Sequence, residues 1–253
     1  MLRRIECLNI KNNAILIADV HYDDDRKDFI DFLDYIENTN PPQVILLGDV
    51  FNVLVGGIDA SVFANQSLIN RLDELGKKIE IIYFEGNHDF NLEKIFKNIK
   101  IIKNQPILMT INQKNIAISH GDVFLPFFTQ IALRFLRFKF VIFLLNFFNK
   151  LIFNKLYQII CNQQKVKKLY KKLDNYKNIV EKRIIRYKDF FSKQCIDIDF
   201  IIEGHFHQGF ILNDGLVYIN LKSFANERSF FILEYHSTLD IKEVKLEERS
   251  RNG

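Results

Sequence analysis

Five short apolar runs of this sequence each end in a small group of acidic, histidine or asparagine residues. The groups are Asp19-Val20-His21, Gly48-Asp49, Gly86-Asn87-His88-Asp89, His120-Gly121-Asp122 and Gly204-His205-Phe206-His207. Short apolar runs flanked by turn residues are typical of buried strands, and strands of one sheet bring their carboxyl ends to a common edge. Helical spacing over residues 26–38 and 61–75 predicts helices between the first strands, with Ser61 as an N-cap. The sequence therefore predicts an α/β or α+β fold with all five groups at one edge.

The residue types in these groups are those that bind divalent metal ions. Carboxylate, imidazole and amide oxygen suit hard to borderline ions, and the candidate ligands are Asp19, His21, Asp49, Asn87, His120, His205 and His207. Seven ligands are too many for one ion but suit two ions that share a carboxylate. Such ion pairs, held about 3.5–4 Å apart, drive displacement at phosphorus. Any single motif is more often structural, so the prediction depends on all five groups following predicted strands.

A segment between the fourth and fifth groups differs in composition from the rest of the chain. Residues 123–194 contain sixteen Lys and Arg residues against three Asp and Glu, and none of the ten glycines. The remaining residues carry 19 basic and 28 acidic side chains. We expect a core formed by residues 1–122 and 195–253, interrupted by a wholly helical, basic and aromatic-rich lid over residues 123–194. Such charge asymmetry indicates an anionic partner for the lid.

The first half of the lid has the character of a lipid-facing element. Phe140–Phe148 is almost wholly apolar and is bounded by basic residues, but it is shorter than the about 20 residues that a spanning helix needs. This pattern favours a helix on an anionic membrane surface or a lid over an acyl-chain pocket. The expected lid contacts to substrate are Phe124, Phe128, Arg134 and Arg137. For residues 165–188 a self-packed helix with solvated lysines is favoured instead.

The cysteine pattern bears on the cellular compartment. Cys7, Cys161 and Cys195 are odd in number and widely spaced, so they form neither a disulfide framework nor a zinc signature. The N-terminus has no signal-peptide pattern. We therefore expect a reducing, cytoplasmic environment.

Taken together, the five motifs resemble those of the calcineurin-like metallophosphoesterase superfamily. The resemblance implies a four-layer fold, in which a two-sheet β-sandwich is flanked by helices, and two divalent ions, with manganese usual among bacterial members. The implied ligands of the first ion are Asp19, His21, Asp49 and His207, and those of the second are Asp49, which bridges, Asn87, His120 and His205.

The residues beside the ligands have expected roles of their own. His88 is expected to act catalytically by donating a proton or positive charge to the leaving group, while Asp49 bridges the ions. Asp89 is expected either to pair with His88 or to serve a loop or capping role. Asp122 is expected either to orient a ligand histidine or to cap the next helix.

A narrower family resembles the chain in both its core and its lid. Bacterial UDP-2,3-diacylglucosamine diphosphatases of lipid A synthesis have a similar length, a helical cap between the same two motifs, and phenylalanines matching Phe51 and Phe90. The resemblance implies hydrolysis to UMP and 2,3-diacylglucosamine 1-phosphate at the inner face of the cytoplasmic membrane, with the lid receiving the acyl chains. Two departures are that His88 stands where many members have arginine, and that Val123–Phe128 lacks their acidic residues.

Two other functions are open from the sequence. A nuclease or nucleotide phosphodiesterase on the same core would use the basic segment to bind an anionic polymer, although its interleaved apolar residues do not favour nucleic acid as the partner. A non-catalytic scaffold would be expected to have lost ligands, and all seven are present. The sequence makes no prediction of oligomeric state.

Overall fold

Two mixed six-stranded sheets form the centre of the molecule. The computed structural model describes residues 5–236 and 238–247, so residues 1–4, 237 and 248–253 of the predicted core lie outside the described residues. Sheet A contains, in spatial order, β1 (Cys7–Asn9), β8 (Ile107–Ile111), β9 (Lys114–Ser119), β10 (Phe200–Glu203), β12 (Leu216–Asn220) and β11 (Phe210–Asp214). Sheet B contains β14 (Leu239–Lys245), β13 (Ser229–Tyr235), β2 (Ala14–Ile17), β3 (Gln43–Leu46), β5 (Glu80–Phe84) and β7 (Lys100–Ile102).

Helices and a small strand pair complete the described fold. The strand pair is β4 (Leu54–Val55) with β6 (Asp89–Phe90), and a short 3₁₀ helix spans Leu92–Lys94. The helices are α1 (Asp28–Thr39), α2 (Asp59–Ala64), α3 (Gln66–Leu75), α4 (Phe127–Leu136), α5 (Lys139–Leu151), α6 (Lys155–Val166), α7 (Tyr176–Ser192) and α8 (Phe224–Glu227).

Three apolar clusters hold these elements in four layers. The central cluster lies between the sheets and joins Leu16 and Ile45 of sheet B to Ile118 of sheet A. A second cluster packs α1 and α3 on the outer face of sheet B, and a third packs α7 on the outer face of sheet A through Val180 and Tyr187. The predicted two-sheet sandwich flanked by helices is therefore confirmed.

The burial of the central strands explains their nearly continuous apolar sequences. Every residue of β2 and β3 is buried, because parallel strands covered on both faces have no solvent side. Their parallel register pairs Ile15 with Val44 and Val44 with Ile81. This register ends β2, β3 and β5 at one edge, where the first three polar groups follow.

Two local predictions are wrong. The helix predicted over residues 61–75 is broken at Asn65, whose φ and ψ of −104° and 7° interrupt the helical path between α2 and α3. Ser61 lies inside α2 instead of capping a helix, and its hydroxyl accepts the Val55 N–H and donates to the Val53 carbonyl.

The segment 123–194 forms two structurally different parts. It is not wholly helical, since residues 167–175 link α6 to α7 without helix. Helix α7 covers sheet A, whereas α4–α6 leave many apolar side chains exposed. The division into a core and a lid at 123 and 194 stays a prediction. Within the described ranges, no single helix is both long and apolar enough to cross a membrane, while α5 and α6 together meet that test by length and composition across a 103° bend.

Candidate metal centre

The seven candidate ligands converge at one edge of the sandwich. Sheet B supplies Asp19 and His21 after β2, Asp49 after β3 and Asn87 after β5, and sheet A supplies His120 after β9 and His205 and His207 after β10. Backbone hydrogen bonds continue beyond the strands, because the His21 N–H donates to the Asp49 carbonyl at 2.9 Å and the Gly204 N–H to the His120 carbonyl at 2.8 Å. These bonds join neighbouring loops within each sheet, and the two sheets are joined where the His205 backbone N–H donates to Asp19 Oδ2 at 2.9 Å.

The first donor group contains Asp19, His21 and His207. Their donor atoms lie within 4.8 Å of one another, and His207 Nε2 is 3.2 Å from Asp19 Oδ1. Both ring nitrogens of His21 are buried and have no hydrogen-bond partner among the described residues. An orphaned buried imidazole is costly unless another group satisfies it, so this arrangement fits a bound cation.

The second donor group contains Asp49, His120 and His205, with the same 4.8 Å limit between donor atoms. His120 Nε2 lies 3.4 Å from Asp49 Oδ2 and 3.3 Å from Asn87 Oδ1. His120 Nδ1 lies 2.8 Å from the Leu47 carbonyl oxygen, which can only accept a hydrogen bond, so Nδ1 carries a proton. In the neutral ring the Nε2 lone pair then faces two oxygen acceptors, an arrangement that a cation satisfies.

The pKa values of these groups follow from burial and from the charges around them. Burial lowers the pKa of His21 to about 3 and that of His205 to about 3, so both rings present lone pairs near neutral pH. Burial would raise the pKa of Asp49, but His120 and His88 lower it well below its usual value. Burial would lower the pKa of His120, but the Asp49 carboxylate raises it well above its usual value. A proton on His120 thus compensates the Asp49 charge when no cation does so.

The backbone at the centre has an unusual conformation. Five of the seven candidate ligands have positive φ, with values of 53° at Asp19, 47° at His21, 51° at Asp49, 65° at His205 and 57° at His207. Non-glycine residues in the left-handed region are uncommon and cluster at functional sites. Such strain at the donor positions is consistent with a role in binding.

Two glycines allow the loops to approach the donors closely. A Cβ atom at Gly86 would overlap Asp49 Oδ1, and one at Gly48 would overlap the His120 ring. Gly48 also has a φ of 79°, which other residues adopt only with strain. Glycine is therefore required beside the donors for steric reasons.

His88 lies at the border of the donor groups. One of its ring nitrogens is within 4.8 Å of a His21 ring nitrogen and of an Asp49 carboxylate oxygen. Its ring contacts the His21 ring edge-on, with 4.8 Å between centroids. His88 Nδ1 lies 2.8 Å from the Asn52 carbonyl oxygen. Since that oxygen only accepts, Nδ1 carries the proton and Nε2 is the nitrogen available to another partner.

Asp89 fixes the loop that carries Asp49 instead of pairing with His88. Its carboxylate accepts the backbone N–H groups of Asp49, Val50, Phe51 and Gly86 at 2.5–3.2 Å, and also the Tyr83 hydroxyl. The expected pair of His88 with Asp89 is therefore wrong, because backbone amides of two loops occupy the carboxylate. The loop role is the arrangement observed.

Comparison with known proteins agrees with this geometry. A model of the calcineurin-like phosphoesterase family matches residues 13–209, which include all seven candidate ligands. The chain belongs to this family. Membership implies divalent metal ions, and the phosphoesterase has buried groups of the required residue types.

Curated relatives match only part of the phosphoesterase. It is 33% identical over 115 residues to the UDP-2,3-diacylglucosamine hydrolase of Shewanella putrefaciens, and 32% identical over the same length to that of Shewanella sp. strain ANA-3. Each match covers 43% of this chain and 47% of the relative. Among solved structures, a phosphoesterase from E. coli is 14% identical with a TM-score of 0.45, over 93% of this chain and 100% of that one.

Asp122 joins the phosphoesterase core to α4. Its carboxylate accepts a hydrogen bond from Arg137 Nη2 at 3.0 Å, and the same nitrogen donates to the Gly86 carbonyl at 2.6 Å. The Arg137 guanidinium also lies over the Phe90 ring, 5.6 Å from its centroid. Arg137 thus contacts the loop that holds Asn87, while its buried Nε has no hydrogen-bond partner among the described residues, and its contact with substrate stays a prediction.

The other predicted lid contacts lie apart from one another. Phe124 packs edge-on against Tyr187 of α7, with ring centroids 5.1 Å apart. Phe128 is 82% exposed on α4. Arg134 lines, with Arg137, a cavity of about 860 Å³ that has both polar and apolar walls. Their contacts with substrate stay predictions.

An apolar cavity of about 320 Å³ lies directly beside the candidate centre. Asn87 and His88 form part of its wall, so the cavity and the donor groups share one loop. Most of the remaining wall is supplied by the end of α4, by α5 and α6, and by the β4 and β6 region, through Val53, Val55, Ile58, Phe90, Leu136, Ile142, Leu145, Leu156, Tyr157 and Ile160. A largely apolar cavity with a few polar groups in its wall is typical of a small-molecule site.

Sequence reasoning missed the cavity residues. None of Phe124, Phe128, Arg134 and Arg137 is among its lining residues. A signal was present, since Ile142, Leu145 and Asn149 are spaced by three and four residues, as expected for one helix face. This spacing was obscured because most of the remaining residues of α5 are apolar too.

Proposed function

We propose that this chain is a hydrolase using two divalent metal ions, which cleaves the pyrophosphate of UDP-2,3-diacylglucosamine, or of a closely similar acylated nucleotide sugar. The products are UMP and the acylated sugar 1-phosphate. One observation carries the proposal: the Asn87–His88 loop borders both the converging donor groups and an apolar cavity of about 320 Å³. A substrate whose phosphate lay next to the donors would then have an apolar pocket within reach for an acyl chain of its sugar.

The donor geometry supports an assignment of ligands. Asp19, His21, Asp49 and His207 would hold one ion, and Asp49, Asn87, His120 and His205 the other, with manganese as the proposed metal. When bound, such ions supply a water molecule of lowered pKa and neutralise charge on phosphoryl oxygens. Asp49 is suited to bridging, because its carboxylate lies close to the His120 and His205 rings and also to the His21 ring.

His88 is proposed as the proton donor to the leaving group. The Asn52 carbonyl holds Nδ1–H, so a second proton would reside on Nε2. Protonated in this way, the ring would donate from Nε2 to the leaving oxygen. This role keeps His88 outside the two ligand sets.

The exposed surface of α4–α6 supports a lipid partner. Phe127, Phe135, Phe140, Phe143 and Phe148 are each more than half exposed, and basic residues adjoin them. Apolar side chains beside cations fit an anionic membrane surface. We therefore propose peripheral binding at the cytoplasmic face of the inner membrane, where an acylated substrate would be located.

A cavity-filling variant tests the substrate class. Leu145→Trp should occupy the apolar cavity and raise KM for UDP-2,3-diacylglucosamine by at least about tenfold, while hydrolysis of bis(p-nitrophenyl) phosphate is unchanged. Phe143→Trp, on the exposed face of the same helix, is the control and should alter neither. Release of UMP is measured by chromatography.

Two outcomes would contradict the assignment. Equal KM values for Leu145→Trp and the wild-type chain would remove the acyl chain from this cavity. Cleavage of the small phosphodiester without cleavage of the acylated nucleotide sugar would indicate a nucleotide phosphodiesterase instead.

A further inference from the structure

Helix α7 places one buried arginine behind the candidate metal centre. Arg183 is only 4% exposed, and it is neither a proposed ligand nor a cavity residue. Burying a guanidinium is unfavourable unless its N–H groups are paired. Its partners therefore indicate what the residue is there to hold.

The first partner is Glu203, the last residue of β10. Arg183 Nε and Nη2 donate to the two Glu203 carboxylate oxygens at 2.6 Å each. The same carboxylate accepts the Tyr187 hydroxyl at 2.8 Å and the Tyr218 hydroxyl. This two-point ion pair holds the guanidinium in one orientation, two residues before His205.

The remaining contacts reach the loops that carry three of the candidate ligands. Arg183 Nη2 donates to the Gly121 carbonyl at 3.0 Å, and Nη1 donates to the Val123 carbonyl at 3.0 Å. The guanidinium carbon lies 4.8 Å from the centroid of the Phe206 ring. Gly121 directly follows His120, and Phe206 stands between His205 and His207.

We propose that Arg183 is a positioning residue, which sets the His120 loop and the His205–His207 loop at the separation that metal binding needs. The inference rests on the proposed two-metal function. The planar guanidinium forms hydrogen bonds with the end of β10 and with the backbone after β9, and it packs against the Phe206 ring between two ligands. Lysine could not reproduce these contacts, because an ammonium group is a point donor without a planar fork.

Metal affinity of the 253-residue chain tests this role. We expect Arg183→Lys to weaken Mn²⁺ binding by about 10–100-fold in isothermal titration calorimetry, the usual effect of losing a residue that orients ligands. With bis(p-nitrophenyl) phosphate, kcat should fall at limiting Mn²⁺ and recover at high Mn²⁺, whereas KM stays constant. Arg186→Met is the matched control on α7, since the Arg186 guanidinium donates to the Phe124 carbonyl at 2.7 Å in an exposed position.

A second variant keeps the test decisive if a single substitution prevents folding. Arg183→Met with Glu203→Gln removes both charges of the buried pair while leaving a hydrogen-bonding partner for the tyrosine hydroxyls. Its fold is checked by circular dichroism, and it should show the same loss of Mn²⁺ affinity. A purely structural role would lower the thermal midpoint without altering Mn²⁺ affinity or the Mn²⁺ dependence of kcat.

The outcomes separate this inference from the proposed function. Folded Arg183 variants with wild-type Mn²⁺ affinity would overturn the positioning role. A wild-type chain that binds Mn²⁺ tightly but cleaves neither substrate would overturn the proposed function alone, and the loss of affinity in the variants would still support Arg183. A wild-type chain that binds no Mn²⁺ would overturn both.

Discussion

Among single residues, Asp49 has the most demanding surroundings. Its carboxylate accepts a hydrogen bond from the backbone N–H of His88 at 2.8 Å and lies 3.4 Å from His120 Nε2. Its own backbone N–H is held by Asp89 at 3.0 Å, and its φ is positive. A side chain fixed from three directions in this way is preorganised for binding.

Removing a shared ligand should therefore abolish activity without unfolding the chain. We expect Asp49→Ala and His120→Ala each to reduce phosphodiester hydrolysis by more than the about 10–100-fold typical of residues that only orient ligands. Steady-state kinetics measure the loss, and circular dichroism checks the fold. His236→Ala is the control, because His236 is 82% exposed and stands outside the donor groups. Near-normal activity in either ligand variant would contradict the assignment.

Metal affinity should rise with pH. Burial would lower the pKa values of His120 and His207, but Asp49 raises that of His120 well above 6.5 and Asp19 raises that of His207 above 6.5, so in the metal-free chain both rings hold a proton to a higher pH than a free imidazole. A ligand must lose its proton to bind a cation, so the apparent Mn²⁺ affinity should increase by about tenfold per pH unit for each proton released, until the raised pKa values are passed. Titration calorimetry in buffers of different ionisation enthalpy measures this release, and binding without proton release would refute it.

Sequence reasoning predicted which residues come together better than how they contact one another. The seven donors could be predicted because each follows an apolar strand, and strand ends in neighbouring positions meet. The partners of Asp89 and Arg137 could not be predicted, since they depend on how the loops after β3, β5 and β9 fold back. Arg183 is 62 residues from Gly121, and no local pattern marks such a contact.

At the level of elements, α5 has two apolar faces with different surroundings. Ile142 and Leu145 line the cavity, while Phe143, Phe147 and Phe148 are 64%, 51% and 54% exposed. The Asn146 carboxamide oxygen accepts the Asp59 N–H at 3.1 Å, which ties the helix to the core. A helix apolar nearly all round gives no periodicity from which to predict the face that is covered.

The exposed face of α5 should bind membranes independently of catalysis. Replacing Phe143, Phe147 and Phe148 with Ser should weaken association with anionic liposomes, because the inserted apolar area is lost. Bis(p-nitrophenyl) phosphate should still be cleaved at the wild-type rate. Liposome co-sedimentation measures the binding, with Phe63→Ser as the control, since Phe63 is 84% exposed and belongs to α2 instead of α4–α6. Unchanged sedimentation would refute a lipid-facing role.

Across the whole molecule, each of the two proposed ion sites takes ligands from both sheets. Asp19 and His21 follow a strand of sheet B while His207 follows one of sheet A, and Asp49 meets His120 and His205 in the same way. These donors converge only when both sheets are folded and stacked. The unfolded chain has no comparable arrangement.

Mn²⁺ should consequently stabilise the folded chain. Binding to the folded state alone adds about 2.7 kcal/mol to the free energy of unfolding at a hundredfold excess over Kd, which for a chain of this size corresponds to a rise in Tm of about 5–10 °C. Differential scanning calorimetry with Mn²⁺ and with EDTA measures the shift. Asp49→Ala should show little of it, and an equal shift in that variant would place the stabilising ions elsewhere.

The contribution of both sheets to each donor group has a mechanical consequence. A bound cation would cross-link two layers that also pack through apolar side chains between them, such as Leu16 and Ile118, and through hydrogen bonds such as that of His120 to the Leu47 carbonyl. Any sliding of one layer over the other would stretch every coordination bond at once. The affinity for the ions should therefore depend on how well the interior is packed. Shortening a buried side chain between the sheets should lower that affinity although no ligand is changed.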